Sequence, residues 1–302
     1  MTTATARPLA TRRGSRPRAW LFPAVPRARA AVMRKVVYTF VFIDVLVTTS
    51  WVPMHGYTPG ALYQPLFIGR LLDLPTPGLV FVRGIQGAVL VAAAIALTGR
   101  WPRAAGAATF FLYLQWMLIA FSYGKVNHDR VAFLVALAVL PTVGAASRDD
   151  RTLDEGAGWA LRCIQVAVVL TYLLAAFAKL RYGGIDWVNG ATLLRGVLRR
   201  GTSLADPLID HPWILHWSQY ALVSFELTSP LLLARGLVGR VYLWAAGAFH
   251  LVTWAALKIS FLPHVVCLLA FLPLEDLRLQ SLRRAERSRW TISGDAGRPV
   301  GR

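Results

Sequence analysis

The chain has 302 residues, of which 56% are hydrophobic and 16% are charged, and its formal net charge is +18 at pH 7. Soluble domains contain about 45–50% apolar residues, so this composition excludes an ordinary soluble domain and indicates an integral membrane protein. Nucleic-acid binding is excluded as the reason for the positive charge. The lysines and arginines lie mainly in the tails and short loops between apolar runs, where such charge sets membrane topology.

The N-terminal segment, residues 1–35, is rich in arginine and contains no acidic residue. The apolar run that follows its twin arginine is short and is interrupted by Pro23 and Pro26, unlike the core of a signal peptide. We therefore predict a basic, disordered tail that stays in the cytoplasm rather than a cleaved signal.

Eight apolar runs follow, and each is a candidate for one helix that crosses the cell membrane. They lie at about 36–53, 79–98, 104–121, 131–146, 157–180, 213–234, 239–257 and 259–274. With the N-terminus inside the cell, most lysines and arginines fall on the inner side, as the positive-inside rule requires. The sequence therefore predicts an all-α polytopic membrane protein, a bundle of about eight transmembrane helices with both termini cytoplasmic. The transmembrane domain would cover residues 36–275, and residues 276–302 would form a second basic, disordered tail.

The loop at 181–212 carries several arginines, although this topology places it outside the cell. Outer loops are ordinarily poor in lysine and arginine. Two explanations are open: the loop folds over something anionic, or its arginines pair with the acids of the same loop. Those acids are Asp186, Asp206 and Asp210.

The fifth apolar run carries a stripe of polar residues. Arg162, Gln165, Tyr172 and Lys179 are spaced by three, seven and seven residues, so they share one helix face. Lys179 lies near the outer end of this run, just before a glycine-containing turn. A lysine in this position is either an anchor that reaches the lipid headgroups or a reactive group.

Ionisable side chains inside membrane spans are costly and are therefore functional candidates. The topology places Arg83, His128, Lys179, His250 and His264 at one outer level, although they come from separate segments. Because a pocket needs groups from several helices at one depth, we predict a site there. The alternatives are histidines that only pack within the bundle and an arginine that only contacts phosphate headgroups.

Two acidic residues are predicted to lie deeper, Glu226 near the middle of the sixth run and Asp44 at the centre of the first. They would pair with arginine or histidine as structural links between helices, or they would relay protons. Cys163 and Cys267 have no metal-ligand spacing, and no metal site is predicted.

Three motifs carry a resemblance to a known family. They are YLLAAFAKLRYGGIDWVNG, YGKVNHDRVAFLVALAVLP, and HWSQYALVSFELTSPLLL followed by AFHLVTW and ISFLPHV. Taken together over about residues 35–275, they resemble the HTTM (horizontally transferred transmembrane) family, which is related to the vitamin K-dependent gamma-carboxylase.

The resemblance implies an enzyme-like membrane protein that uses a reduced, vitamin K-like quinone as its cofactor. Reaction of the quinone with O2 would generate a strong base, which removes a proton from the substrate. Lys179 would act as the base on the quinone, and His128 would hydrogen-bond to the quinone or its alkoxide. The substrate- or cofactor-binding residues would be Arg83, Tyr172, Trp187, Glu226, His250 and His264.

Two departures from the carboxylase bear on the substrate. The turn at 181–184 contains Arg181 where the carboxylase has an acidic link, and no large outer domain follows the last apolar run. We therefore expect a small lipophilic or short peptide substrate, with or without carboxylation, rather than protein glutamates. The alternative is a non-catalytic membrane interaction, immunity-type or transport protein on the same scaffold. The motifs do not indicate an oligomeric state.

Overall fold

The computed structural model describes residues 16–124 and 126–276, and this part of the chain is mostly helical. The helices are α1 (Arg16–Leu21), α2 (Arg27–Ile43), α3 (Phe67–Leu71), α4 (Leu79–Thr98), α5 (Pro102–Phe121), α6 (Val131–Val139), α7 (Glu155–Gly183), α8 (Asp186–Asn189), α9 (Thr192–Arg200), α10 (Pro212–Leu227), α11 (Leu237–Leu257) and α12 (Leu262–Leu268). A short antiparallel pair, β1 (Val25–Pro26) and β2 (Leu153–Asp154), joins the starts of α2 and α7. The predicted all-α class is confirmed.

Three helices of the described residues, α4, α5 and α7, are long and apolar enough to cross a membrane. Each of the eight predicted apolar runs contains helix, but several are shortened by proline. The sixth run breaks after Leu227, where Pro230 lies in the turn Ser229–Leu233, because proline lacks the N–H that a helix interior needs. Glu226, predicted at mid-span, therefore lies at the end of α10.

The first long helix begins earlier than predicted. Residues 16–35 were expected to form a disordered tail, but they contain α1 and the start of α2. The arginines of this segment find partners inside the protein, which removes the cost of burying them. Arg34 donates to the carbonyl oxygen of Gly144 at 2.7 Å, and Arg29 donates to Glu275 at 2.7 Å. Nearly all of the predicted C-terminal tail, from residue 277 on, lies outside the described residues, as do residues 1–15.

Helix α7 is the central element of the bundle, and its ends follow from its sequence. The carboxylate of Asp154 caps its first turn by accepting the N–H of Ala157 at 2.7 Å. It ends where Gly184 adopts a positive φ of 61°. Between these points α7 packs against α2, α6, α10 and α12. Its C-terminal half therefore faces several helices at once, and the candidate site lies there.

Candidate ligand-binding cavity

A cavity of about 250 Å³ lies beside the C-terminal half of α7, enclosed by α10, α11, α12 and the segment before α6. It is lined by every predicted site residue except Arg83. Those lining residues are His128, Tyr172, Lys179, Trp187, Glu226, His250 and His264. The apolar part of the wall comes mainly from Phe249, Phe261 and leucines of α9, α10 and α11. The structure thus brings together side chains that are up to 136 positions apart in the sequence.

An ion pair joins α7 to α10 at one side of the cavity. The Lys179 ammonium nitrogen lies 2.6 and 2.7 Å from the two carboxylate oxygens of Glu226. The side chains are only 21% and 5% exposed, and the ammonium also lies 5.4 Å from the centre of the Trp187 ring. Lys179 therefore points into the bundle, and this direction argues against the alternative of an anchor that reaches the headgroups.

Aromatic and imidazole rings form the opposite side of the cavity. The Tyr172 hydroxyl and Nε2 of His250 are hydrogen-bonded at 2.7 Å. The His264 ring packs edge-on against Tyr172, with ring centres 4.6 Å apart, and lies 5.4 Å from the His250 ring. Three rings from α7, α11 and α12 thus meet at one point.

Several imidazole nitrogens in this group lack hydrogen-bond partners among the residues that the structure describes. His264 is 2% exposed, and neither of its ring nitrogens has a partner there; the same holds for Nδ1 of His250. Leaving a buried polar atom unsatisfied costs about 1–3 kcal/mol, so such atoms require an explanation. Because these nitrogens line the cavity, a polar group of a bound ligand is the explanation that the site itself offers.

His128 reaches the cavity from the short 3-10 helix His128–Arg130, which leads into α6. Its ring centre lies 6.2 Å from that of Phe261. This segment is held in place by what we call the Arg130–Asp44 network, which consists of Asp44, Thr48, Tyr113, Asp129 and Arg130. Arg130 donates to Asp44 at 3.1 Å and to the Thr48 hydroxyl at 3.3 Å, and Tyr113 donates to Asp44 at 2.8 Å.

Arg83 does not belong to the site. Its side chain is exposed on α4 and donates to Gln86, one turn further along, at 2.8 Å. Helix α4 packs mainly on α2 and α5, away from α10 and α11. Topology gives the depth of a residue in the bundle but not which helices surround it, so it could not show that Arg83 does not line this cavity.

Asp129, Thr171 and Phe261 also line the cavity, and the sequence analysis did not select them as site residues. Asp129 directly follows His128, so its proximity to the site could have been inferred from that position alone. Thr171 carries no signal in the sequence, since a threonine in an apolar helix is ordinarily a packing residue. Phe261 could have been selected, because it belongs to the motif ISFLPHV.

The chemistry of the lining suits a ring-shaped organic ligand. Within residues 16–124 and 126–276, no three histidine, cysteine, aspartate or glutamate side chains are placed to hold a metal ion. The lining includes the aromatic rings of Phe249 and Phe261 and the polar side chains of Lys179 and His264, which are chemically compatible with the flat ring and the oxygens of the quinone that the resemblance implies.

A larger apolar groove of about 490 Å³ lies next to the cavity, between α10 and α11. The two spaces share Leu193, Leu222, Phe249, Thr253 and Leu257. Pockets for drug-sized ligands span about 300–1,000 Å³, so the cavity alone is small and suits a head group. A hydrocarbon tail would leave through the groove.

Comparisons of the chain with protein-family models, with curated proteins and with solved structures give no match. The relationship to the HTTM family therefore stays a prediction from the three motifs.

Proposed function

We propose that this protein is a multi-pass enzyme of the cell membrane, with about eight spans and both termini in the cytoplasm, that carries out quinol-linked chemistry in the cavity beside α7. Quinol-linked oxygenation, or proton abstraction from a small lipophilic or short peptide substrate, would take place there. The observation that carries the proposal is that the Lys179–Glu226 pair, His128 and the unpartnered His264 all face one largely apolar cavity. The three motifs of the HTTM family support the same class of reaction.

The ion pair changes the role first expected for Lys179. A general base needs a neutral amine, but here the ammonium has a carboxylate as its partner. In the charged pair, Glu226 is the group that can accept a proton, while Lys179 donates hydrogen bonds to an oxygen that becomes negative. When the proton lies on Glu226 instead, Lys179 is the acceptor. The two residues therefore act as one unit.

A reduced quinone would supply an acidic hydroxyl and the two electrons that its reaction with O2 consumes. The remaining residues orient and protect the site. Tyr172 fixes the plane of the His250 ring through their hydrogen bond, and His128 faces the cavity from the other side. Phe249 and Phe261 exclude water, which would otherwise quench a strong base.

Quinol-dependent oxygen uptake tests the proposal. Wild-type protein, Lys179→Ala and Lys35→Ala would be purified, reconstituted in nanodiscs and assayed with several quinols. Lys35 is the matched control, because it is exposed on α2 and does not line the cavity. We expect uptake by the wild type and by Lys35→Ala and a loss of at least about 100-fold in Lys179→Ala, the usual scale for removing an acid–base group. Equal uptake by folded Lys179→Ala would exclude the proposed role.

A non-catalytic protein on the same scaffold is the second candidate, and the geometry of the pair favours it in one respect. Both oxygens of Glu226 are engaged by Lys179, so the pair links α7 to α10 in the manner of a structural clamp. If none of the quinols produces uptake by a folded wild type, the membrane interaction, immunity-type or transport role becomes the better account. In that case Lys179→Ala would lower thermal stability and nothing else.

A further inference from the structure

Helix α9 has two faces of opposite character. Leu193, Leu194 and Val197 pack inward, and Val197 belongs to a small buried cluster with Ala205 and Leu215. The outward face carries Arg195, Arg199 and Arg200, all of which are exposed. An apolar face on the protein is common to amphipathic surface helices, so the feature of α9 that bears on a membrane is its row of exposed arginines.

The arginines of α9 have no acidic partner in the part of the chain that the structure describes. Asp186, Asp206 and Asp210 lie in the same loop and were one of the two explanations for its positive charge. No ion pair or side-chain hydrogen bond joins any of these acids to Arg195, Arg199 or Arg200. Among the described residues, internal pairing of these three arginines is therefore not observed, and an external anion becomes the better explanation for their charge.

The position of α9 indicates where that anion lies. The helix begins shortly after α7 ends at Gly183, and α7 has the length and composition of a membrane span. The next loop is tied to the last turn of α11, because the Thr202 hydroxyl donates to the carbonyl oxygen of Ala255 at 2.6 Å. The Thr202 backbone N–H donates to the carbonyl oxygen of Ala256 at 3.0 Å. Helix α9 is therefore fixed at the end of the bundle, at the level where a span leaves the membrane.

We propose that α9 is an interfacial helix that binds the headgroups of anionic phospholipids through Arg195, Arg199 and Arg200. The guanidinium group donates two parallel hydrogen bonds to a phosphate, and basic groups near a membrane surface are attracted to anionic lipid. Arg195 and Arg199 are four positions apart, so they lie on one face and can contact the same headgroup. The inference relies on α7 crossing the membrane but not on the chemistry of the cavity.

This lipid contact would lie at the entrance to the candidate site. Leu193 of α9 lines the cavity, and Val197 lines the apolar groove that lies next to it. The same helix thus turns apolar side chains toward the ligand space and arginines toward the headgroups. An amphiphile that arrives from the bilayer would pass directly beside α9.

Lipid retention in mixed nanodiscs tests the inference with the full chain. Nanodiscs would contain phosphatidylcholine and increasing fractions of phosphatidylglycerol, and native mass spectrometry would count each lipid that stays on the released protein. The test variant is Arg195→Gln/Arg199→Gln/Arg200→Gln. The first control keeps the positive charge and is Arg195→Lys/Arg199→Lys/Arg200→Lys. The second control removes two exposed charges where α4 and α5 meet and is Arg100→Gln/Arg103→Gln.

For the wild type we expect preferential retention of phosphatidylglycerol. The glutamine triple variant should need at least about fivefold more phosphatidylglycerol for half-maximal retention, because each basic residue near the surface contributes measurably. The lysine triple variant should stay within about twofold of the wild type, and the Arg100/Arg103 variant should lose less than the glutamine triple variant, because it removes two charges instead of three. Unchanged retention in the folded glutamine variant would overturn the inference, as would an equal loss of phosphatidylcholine. Since no quinol is used, failure of this test is distinguishable from failure of the proposed function.

Discussion

The Arg130–Asp44 pair and the Lys179–Glu226 pair are both salt bridges within the bundle, but their surroundings differ. Arg130 and Asp44 are 7% and 0% exposed and are surrounded by Thr48, Tyr113 and Asp129, which supply further hydrogen bonds. Lys179 is 21% exposed and has only Glu226 as a hydrogen-bond partner in the described chain, with the cavity beside it. The first pair is closed off by protein, whereas the second remains accessible to a ligand.

The comparison shows how a structural ion pair can be distinguished from a functional one in such a bundle. Burial and ion pairing are common to both, so neither property is diagnostic. What distinguishes the second pair is the cavity that Lys179 and Glu226 line, beside the nitrogens of His264 that have no hydrogen-bond partner among the described residues. An unused donor alone is not diagnostic, because Nε of Arg130 is also buried without a partner in that part of the chain. We therefore assign stability to the Arg130–Asp44 network and ligand chemistry to the Lys179–Glu226 pair.

The largest effect on stability is expected for Arg130→Met. It leaves Asp44 buried without its cationic partner, and breaking such a pair costs about 3–5 kcal/mol. Thermal unfolding in nanodiscs should show a large loss, and Arg100→Gln, at an exposed arginine, should show almost none. A change for Arg130→Met as small as that of the control would mean that the network is not structural.

A smaller loss of stability is expected for Lys179→Met. Glu226 loses its partner, which costs about 1–3 kcal/mol for a buried group, but it borders the cavity and can be hydrated there. Adding Glu226→Gln should restore part of the loss, because a neutral amide is easier to bury than an unpaired carboxylate. The free energies of unfolding of the two single variants and the double variant measure the coupling between Lys179 and Glu226. If the loss in the double variant equals the sum of the two single losses, the two residues do not act as a unit.

A third ion pair, at the edge of the bundle, should respond to pH. Burial raises the pKa of Glu275, but the hydrogen bonds and charge of Arg29, a backbone hydrogen bond and the charge of Arg151 together outweigh this effect, and the net pKa lies below the ordinary 4.5. The contribution of this pair to folding is therefore complete above the unfolded pKa and is lost as the pH falls through the folded pKa. The difference in melting temperature between the wild type and Glu275→Gln should narrow from pH 7 to pH 3. A difference that stays constant would contradict this assignment.

The smallest effect on stability is expected for His264→Leu. Neither ring nitrogen has a hydrogen-bond partner to lose within residues 16–124 and 126–276, so a similar apolar side chain should change the free energy of unfolding by less than about 1.5 kcal/mol. Binding of a quinone should nevertheless weaken, because the ligand loses a polar contact. Thermal unfolding and quinone binding, measured on the same preparation, separate the two effects. A loss of stability in His264→Leu as large as that in Arg130→Met would show that His264 is a structural residue.

Particular residues show how far the sequence alone could lead. The spacing of Tyr172 and Lys179 placed them on one face of α7, and both do line the cavity. Depth from topology placed His128, His250 and His264 at one level, and all three line the same cavity.

Other features depend on contacts that topology does not contain. Arg83 has the right depth but lies on a helix that packs elsewhere. Glu226 was placed at mid-span, since the break at Pro230 was not taken into account. The pairing of Glu226 with Lys179 depends on how α10 docks on α7, and the early start of α2 depends on acceptors supplied by distant loops.

The most direct test of the central claim is to locate a bound quinone. A quinone that carries a photoreactive diazirine would be cross-linked to the protein in nanodiscs, and the labelled peptides would be identified by mass spectrometry. We predict labels within 171–179 and 249–264 that disappear when unmodified quinone competes and that are reduced in Lys179→Ala. Labels confined to the lipid-facing surfaces of α4 and α5, unaffected by competition, would contradict the assignment of this cavity as a quinone site.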